Sequence, residues 1–255
     1  MRPDELLPAH LAGRLRPWSG VDEDYVRTTR GDNASAVCNG LLTRCFGDAA
    51  EIGALAVHDR DLALVALRWA TLGPRLPVEI TCASCGAEHD VTIDLDRLQR
   101  PPEAPSQIVV GELVVRLPTA ADQQRVVEAG DADSEARRLR VLACIVDVPG
   151  DALSGARRDE IESALESAIP DIDLELVLDC PACGGAIEAT IELAQFVLAE
   201  LRERSRHLLR EVHALARTYH WSERDILAMT TIRRQEYLAL IEADQTAALF
   251  AEATD

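Results

Sequence analysis

One pattern is written twice in this chain, and it limits the possible folds more than any other feature. Val78-Glu-Ile-Thr-Cys82-Ala-Ser-Cys85-Gly86 through Thr92-Ile-Asp-Leu95 aligns with Leu176-Val-Leu-Asp-Cys180-Pro-Ala-Cys183-Gly184 through Thr190-Ile-Glu-Leu193 at an offset of 98. Each copy reads as a strand, a Cys-x-x-Cys-Gly turn and a returning strand whose apolar residues alternate, Val91/Ile93/Leu95 and Ala189/Ile191/Leu193. Such a turn points two thiols to one side. Structural zinc takes four ligands in a tetrahedron, so one turn is half a site and the second copy supplies the other half. Between Cys85 and Cys180 lie 94 residues. Closing that loop costs roughly 4 kcal/mol, against about 10–16 kcal/mol from a structural zinc site. Cys82, Cys85, Cys180 and Cys183 are therefore expected to share one structural Zn2+. A thioredoxin-type redox pair would place its first cysteine at a helix N-terminus, whereas strands flank both motifs here. Disulfides would need an oxidising compartment.

The repetition extends upstream. Arg60, Asp61, Ala66 and Leu67 fall on Arg158, Asp159, Ala164 and Leu165 at the same offset. With a shift of one, Cys45 falls on Cys144; with a shift of two, Arg16, Ser19 and Asp22 fall on Arg116, Thr119 and Asp122. The pattern predicts an internal duplication, unit one at about 15–98 and unit two at about 115–196. In each unit a hydroxyl N-cap, Ser19 or Thr119, opens a helix that ends near the lone cysteine. A second helix follows, Arg60–Trp69 or Arg157–Ala168, and then the cysteine hairpin. Pro101-Pro-Glu-Ala-Pro105 reads as a linker, and Gln107–Leu117 as two strands around Gly111. The expected fold is α+β: duplicated helix–helix–β-hairpin units joined at a four-cysteine zinc-ribbon-like site, with a C-terminal helical arm. The corresponding regions are 1–98, 99–196 and 197–255. Cys38, Cys45 and Cys144 lie in apolar helical surroundings and read as small core residues.

The arm begins with an apolar stripe along Phe196–His220. Trp221-Ser222-Glu-Arg-Asp225 is a capping box for a short helix, and Thr231 is expected to cap a last one. Residues 201–240 hold eight Arg and five acids, net +3, within a chain of −18, so the remainder sums to −21. A basic arm on an acidic body suits docking onto an acidic protein; a solvated face pairing with its own body fits equally. The acidic balance argues against nucleic acid and anionic membranes as partners. No apolar run approaches the ~18 residues of a spanning helix. The start Met1-Arg-Pro-Asp-Glu lacks the basic and apolar regions of a signal peptide, so a cytoplasmic protein is expected. His207, His213 and His220 recur along the arm without an acid or cysteine spacing to complete a site. Asp131/Asp133 and Asp171/Asp173 lack the glycine and distal glutamate of a calcium loop. No phosphate loop, nucleophile elbow or His-Glu-x-x-His is present, and no small-molecule substrate is expected.

Several stretches together resemble one family: Asp59-Arg60-Asp61-Leu-Ala-Leu-Val-Ala-Leu-Arg68, both cysteine turns, Val115-Arg-Leu-Pro118-Thr-Ala-Ala-Asp122, Leu209–Leu227 around Tyr219-His-Trp221-Ser-Glu, and Arg233-Arg-Gln-Glu-Tyr-Leu238. They are similar to the T-even-phage-type baseplate hub assembly proteins of contractile phage tails and contractile injection systems, over about 15–242. The family's tyrosine is commonly followed by glycine, where this chain has His220. The resemblance implies a non-enzymatic role as assembly chaperone or minor component, with baseplate hub or wedge proteins as partners. A partner surface centred on Trp221, with Arg217, Arg224, Arg233, Arg234 and Tyr237, goes with that reading. Trp221 read alone, between a helix end and a capping box, is more often a local hydrophobic staple than a binding hot spot. The alternative from another class is a zinc-ribbon adaptor or regulator of nucleic-acid machinery.

Overall fold

The computed structural model describes residues 2–29, 33–129, 138, 141–142, 145–146 and 153–252. The expectations for Cys144 and for Asp131/Asp133 lie outside these residues. Helices and three separate two-stranded antiparallel sheets make up the described chain, an α+β arrangement.

Two polar knots of the same design recur along the chain. In the first, Ser19 caps α1 (Gly20–Thr28) and Asp22 closes the box, accepting from the Ser19 N–H at 2.8 Å and its hydroxyl at 3.0 Å. Both oxygens of Asp22 also accept from Arg16, at 2.7 and 3.0 Å. In the second, Thr119 caps α5 (Ala120–Glu128), Asp122 accepts from the Thr119 N–H at 2.9 Å, and Arg116 grips both its oxygens. Each box satisfies helix N-terminal donors and places a carboxylate at the positive end of the helix. Burial of Asp22 and Asp122 favours protonation, but the arginine and cap bonds outweigh it and hold both below the usual carboxylate range, Asp122 at about 2.

In the first half the chain between the cap and Cys45 forms two helices, not one: α1, and α2 (Ala34–Phe46), which Asn33 caps and Gly47 ends in the left-handed region (φ 102°). A short α3 (Ala49–Ala54) follows. The next helix, α4 (Val57–Leu72), exceeds the expected Arg60–Trp69 at both ends and stops at Gly73, in the left-handed region at φ 86°. Leu62, Leu64, Val65, Leu67 and Trp69 are buried around its circumference, so it lies inside the core rather than on it. β1 (Arg75–Thr81) pairs with β2 (Glu88–Asp94), and Leu76, Val78 and Ile80 point inward on alternate positions. β3 (Gln107–Val110) and β4 (Leu113–Arg116) form the expected hairpin around Gly111. They pack with α6 (Gly155–Ala168) through Val110, Val115, Ile161 and Leu165. β5 (Leu174–Asp179) and β6 (Ala186–Ile191) form the second cysteine hairpin. Its inward residues Ile187 and Ile191 share one apolar cluster with Leu76, Val78 and Ile80 of the first.

The arm is anchored into this body. α7 (Leu193–Tyr219) begins two residues after β6 and packs along α1 and α4. Arg68 of α4 is 2% exposed and forks onto Glu200 of α7 at 2.9 and 3.2 Å. His220 ends α7 in the left-handed region (φ 57°). α8 (Glu223–Ala228) starts at the expected Ser222 cap. α9 (Thr231–Glu252) differs from expectation: Thr230, not Thr231, receives the Arg233 N–H, at 3.4 Å. Thr231 is 2% exposed and committed elsewhere, accepting from the Trp18 indole N–H at 2.9 Å and donating to Glu23. Arg234, fully buried, completes the knot with Glu23 at 2.6 Å and Glu211 at 3.0 Å. Gly20 is required here, since a Cβ would stand 2.9 Å from the Leu227 backbone.

Removing one member of a buried ion pair strands the other in low dielectric. Arg234→Ala is expected to destabilise the protein by about 3–5 kcal/mol in urea unfolding, whereas exposed Arg233→Ala costs less than about 0.5 kcal/mol. The depressed carboxylates set an acid limit. Their stabilisation is complete above the unfolded value near 3.9 and is lost as pH falls through their lowered folded values, about 2 for Asp122. Asp122→Asn should therefore flatten the stability loss between about pH 5 and pH 2 in thermal melts.

Candidate metal centre

The two cysteine turns are built alike. In the first, the Cys82 N–H donates to Ala87 O at 2.9 Å and the Gly86 N–H to Cys82 O at 2.8 Å. In the second, the Cys180 N–H donates to Gly185 O and the Gly184 N–H to Cys180 O, both at 2.8 Å. Gly86 and Gly184 sit at φ 74° and 73°, the left-handed conformation that closes each turn and that glycine adopts without strain. Within each pair the first cysteine is buried and the second exposed.

The shared apolar cluster brings the two tips together. Cys82 Sγ lies 3.9 Å from Cys183 Sγ, and Cys85 Sγ lies 3.7 Å from Cys180 Sγ. All four sulfurs fall within 4.8 Å of one another. A tetrahedron with metal–sulfur bonds of about 2.3 Å has edges of about 3.8 Å, so the quartet has the dimensions of a four-thiolate metal site. None of the four is in a disulfide, whose S–S bond is about 2.05 Å. The backbone N–H groups of Cys85 and Ser84 pull the Cys82 thiol down to about 6. For Cys85 the Ala87 N–H works in the same direction, but the sulfurs of Cys183, Cys82 and Cys180 and desolvation together outweigh it and the thiol rises to about 12.

The tips also touch directly. A Cβ at Gly185 would lie 3.3 Å from Ser84 Oγ and 3.4 Å from Cys183 Sγ, which accounts for the second glycine of the Gly184-Gly185 pair. His89 on β2 places Nε2 3.2 Å from Cys180 Sγ, reaching from one hairpin to a sulfur of the other. The repeat gave no signal for it, since its counterpart at the offset of 98 is Ile187.

The lone cysteines Cys38 and Cys45 are buried, and burial pushes their thiols up to about 11 and about 12. Of the arm residues, Trp221 stacks on Tyr219 with ring centroids 4.6 Å apart and meets Tyr237 edge-on at 4.8 Å. Arg233 lies 4.7 Å over the Tyr237 ring and donates to its hydroxyl at 2.8 Å. That cluster fills the corner where α7, α8 and α9 meet, as a staple does. Arg217 and Arg224 are exposed. Arg234 is removed from any docking surface by its burial against Glu23 and Glu211.

The family model described as "T4 bacteriophage base plate protein" matches residues 11–149, more than half of the chain. The chain belongs to that baseplate family. The matched stretch spans both polar knots and the first cysteine turn and ends before the second turn. No curated protein and no solved structure matches the chain. Among the described residues no helix is long and apolar enough to cross a membrane.

The purified baseplate-family chain is expected to carry one thiophilic metal ion, measured by elemental mass spectrometry. Cys82→Ser and Cys180→Ser should lose it to similar extents, with matching drops in melting temperature. Loss confined to one turn would mean that the two pairs act separately. His89→Phe should weaken metal affinity by about 10–100-fold while keeping the stoichiometry, the usual consequence of losing a group bonded to a ligand atom.

Proposed function

We propose that this protein is a non-enzymatic assembly factor or minor structural component of the hub region of a contractile tail baseplate, in a phage or a related injection system, and that a structural zinc ion pins its two halves. The family membership carries the functional part of this reading. The four-sulfur quartet supports the zinc part: tetrahedral all-thiolate sites suit zinc or iron–sulfur chemistry, and four cysteines fill the shell of a single ion. A closed shell leaves no position for substrate or water, which favours a structural over a catalytic metal.

The halves are read as products of duplication. Support comes from the two Arg–hydroxyl–Asp caps and the two turns, which recur in order with the same bonding. Synthesis in the cytoplasm, with later association with hub or wedge proteins, follows from the same reading. A zinc-ribbon adaptor for nucleic acid is the weaker alternative, because a net charge of −18 opposes a phosphate backbone.

Deleting the gene from its phage or host cluster should abolish or sharply reduce assembled particles, and re-expression should restore them. Proteomics of purified particles then separates a departing assembly factor from a resident component. Normal particle numbers and morphology in the deletion strain would refute the assembly role. Elemental analysis of the native protein giving iron in place of zinc would refute the zinc part alone.

A further inference from the structure

Two charged surfaces that the metal centre does not use lie end to end along α7. One is a groove of about 920 Å3 whose lining includes Leu165, Ile169 and Leu198. Glu166, Asp171, Asp173 and Glu192 are also part of it. Among the described residues none of these four carboxylates is paired with a cation: Asp171 accepts the backbone N–H of Asp173 at 2.9 Å, and Glu192 accepts from the Gln195 amide. Burial and the facing charges of Asp171 and Glu192 push Asp173 up, the mark of uncompensated negative charge.

The other is a ridge on the exposed side of α7. At 3.6 residues per turn, Arg202, Arg206, Leu209, Arg210, His213 and Arg217 fall within about 100° of arc. Leu209, near its centre, is 48% exposed. Arg206 pairs only with Glu203 of its own helix, and Arg202, Arg210 and Arg217 have no carboxylate partner among the described residues. The two surfaces are continuous. Gln195 lies in the groove at nearly the same azimuth as Arg202, and the charge of Arg202 acts on Cys38, another groove residue.

We propose that this bipolar face is the docking site for a second copy of the chain, arranged antiparallel about a twofold axis, so that the arginine ridge and Leu209 of each copy enter the acidic groove of the other. A surface that carries both charges end to end is complementary to itself under a twofold rotation, and every contact is made twice. The centres of groove and ridge are about 13 residues apart on α7, or roughly 20 Å, so both contacts fit on one face. A different acidic protein would satisfy the ridge and leave the groove uncovered. A polyanion would meet the groove carboxylates beside the ridge and gain nothing from Leu209.

Sedimentation of the full chain as purified tests this. The wild type should be a dimer at tens of micromolar in about 50 mM salt, with dissociation at least about tenfold easier in about 500 mM salt, where exposed charges are screened. Arg206→Glu with Arg210→Glu should give monomers, as should Glu166→Arg with Asp171→Arg, with circular dichroism and metal content unchanged in both. An equimolar mixture of the two variants should recover dimers, since each then offers what the other lacks. A wild type that stays monomeric under all these conditions overturns the proposal, as do reversed variants that dimerise like the wild type. Loss of a co-purifying baseplate protein from the arginine variant, with wild-type sedimentation unchanged, would assign the ridge to that partner and overturn it equally.

Discussion

The approach of two hairpin tips, 94 residues apart in sequence, is the constraint that orders the rest of the fold. Each hairpin alone is two strands with one apolar face, too little to be stable in water. Placed together, Leu76, Val78 and Ile80 of one and Ile187 and Ile191 of the other close a single cluster beneath the sulfurs. The apolar contact brings the tips near; the chemistry of the tips then fixes their register. A displacement of one tip by a single residue would turn its thiols away and set charged side chains into the cluster, because strand side chains alternate faces.

Several features follow from that junction. β6 leads into α7 with one intervening residue, so the orientation of the second tip sets the direction of the longest helix. α7 then runs along α1 and α4, held midway by the Arg68–Glu200 fork. At its far end Glu211 joins Glu23, Arg234, Thr231 and Trp18 in a buried knot, which ties the C-terminal helices back to the first helix of the chain. The charges in this knot are paired and hydrogen-bonded, the condition under which burial of an arginine is tolerated. Sulfur at one end and a polar knot at the other hold α7 as a strut between them.

The readable parts of this structure were those with a local physical signature. Cys-x-x-Cys-Gly announces a turn because glycine alone takes the required φ without strain, and Ser19–Asp22 and Thr119–Asp122 announce helix starts because those side chains satisfy orphan N–H groups. The juxtaposition of the four cysteines was legible because the pattern was repeated and zinc chemistry demands four ligands. Contacts between distant residues of unlike type left no such trace. Arg234 reads as an exposed basic residue beside Arg233, and nothing local shows that it faces Glu23 across the fold. Thr231 and Thr230 are equivalent candidates for a cap until Trp18 and Glu23 claim one of them. His89 has no counterpart in the second copy, so a comparison of repeats passes over it.

Charge segregation along α7 has a physical cost that its neighbours among the described residues do not relieve. Burial raises Asp173, and the charges of Asp171 and Glu192 beside it raise it further, although the four arginines of the ridge stand further along α7. Rigid helix geometry is the reason: side chains two or more turns away cannot fold back to neutralise the groove, since the ridge lies ahead of it along the axis and not across from it. From centre to centre the opposite charges stand about 20 Å apart, beyond the Debye length at physiological salt. Among the described residues, close contact between them requires a second body, and a copy of the same chain turned end for end presents the two surfaces in reverse order and relieves groove and ridge at once.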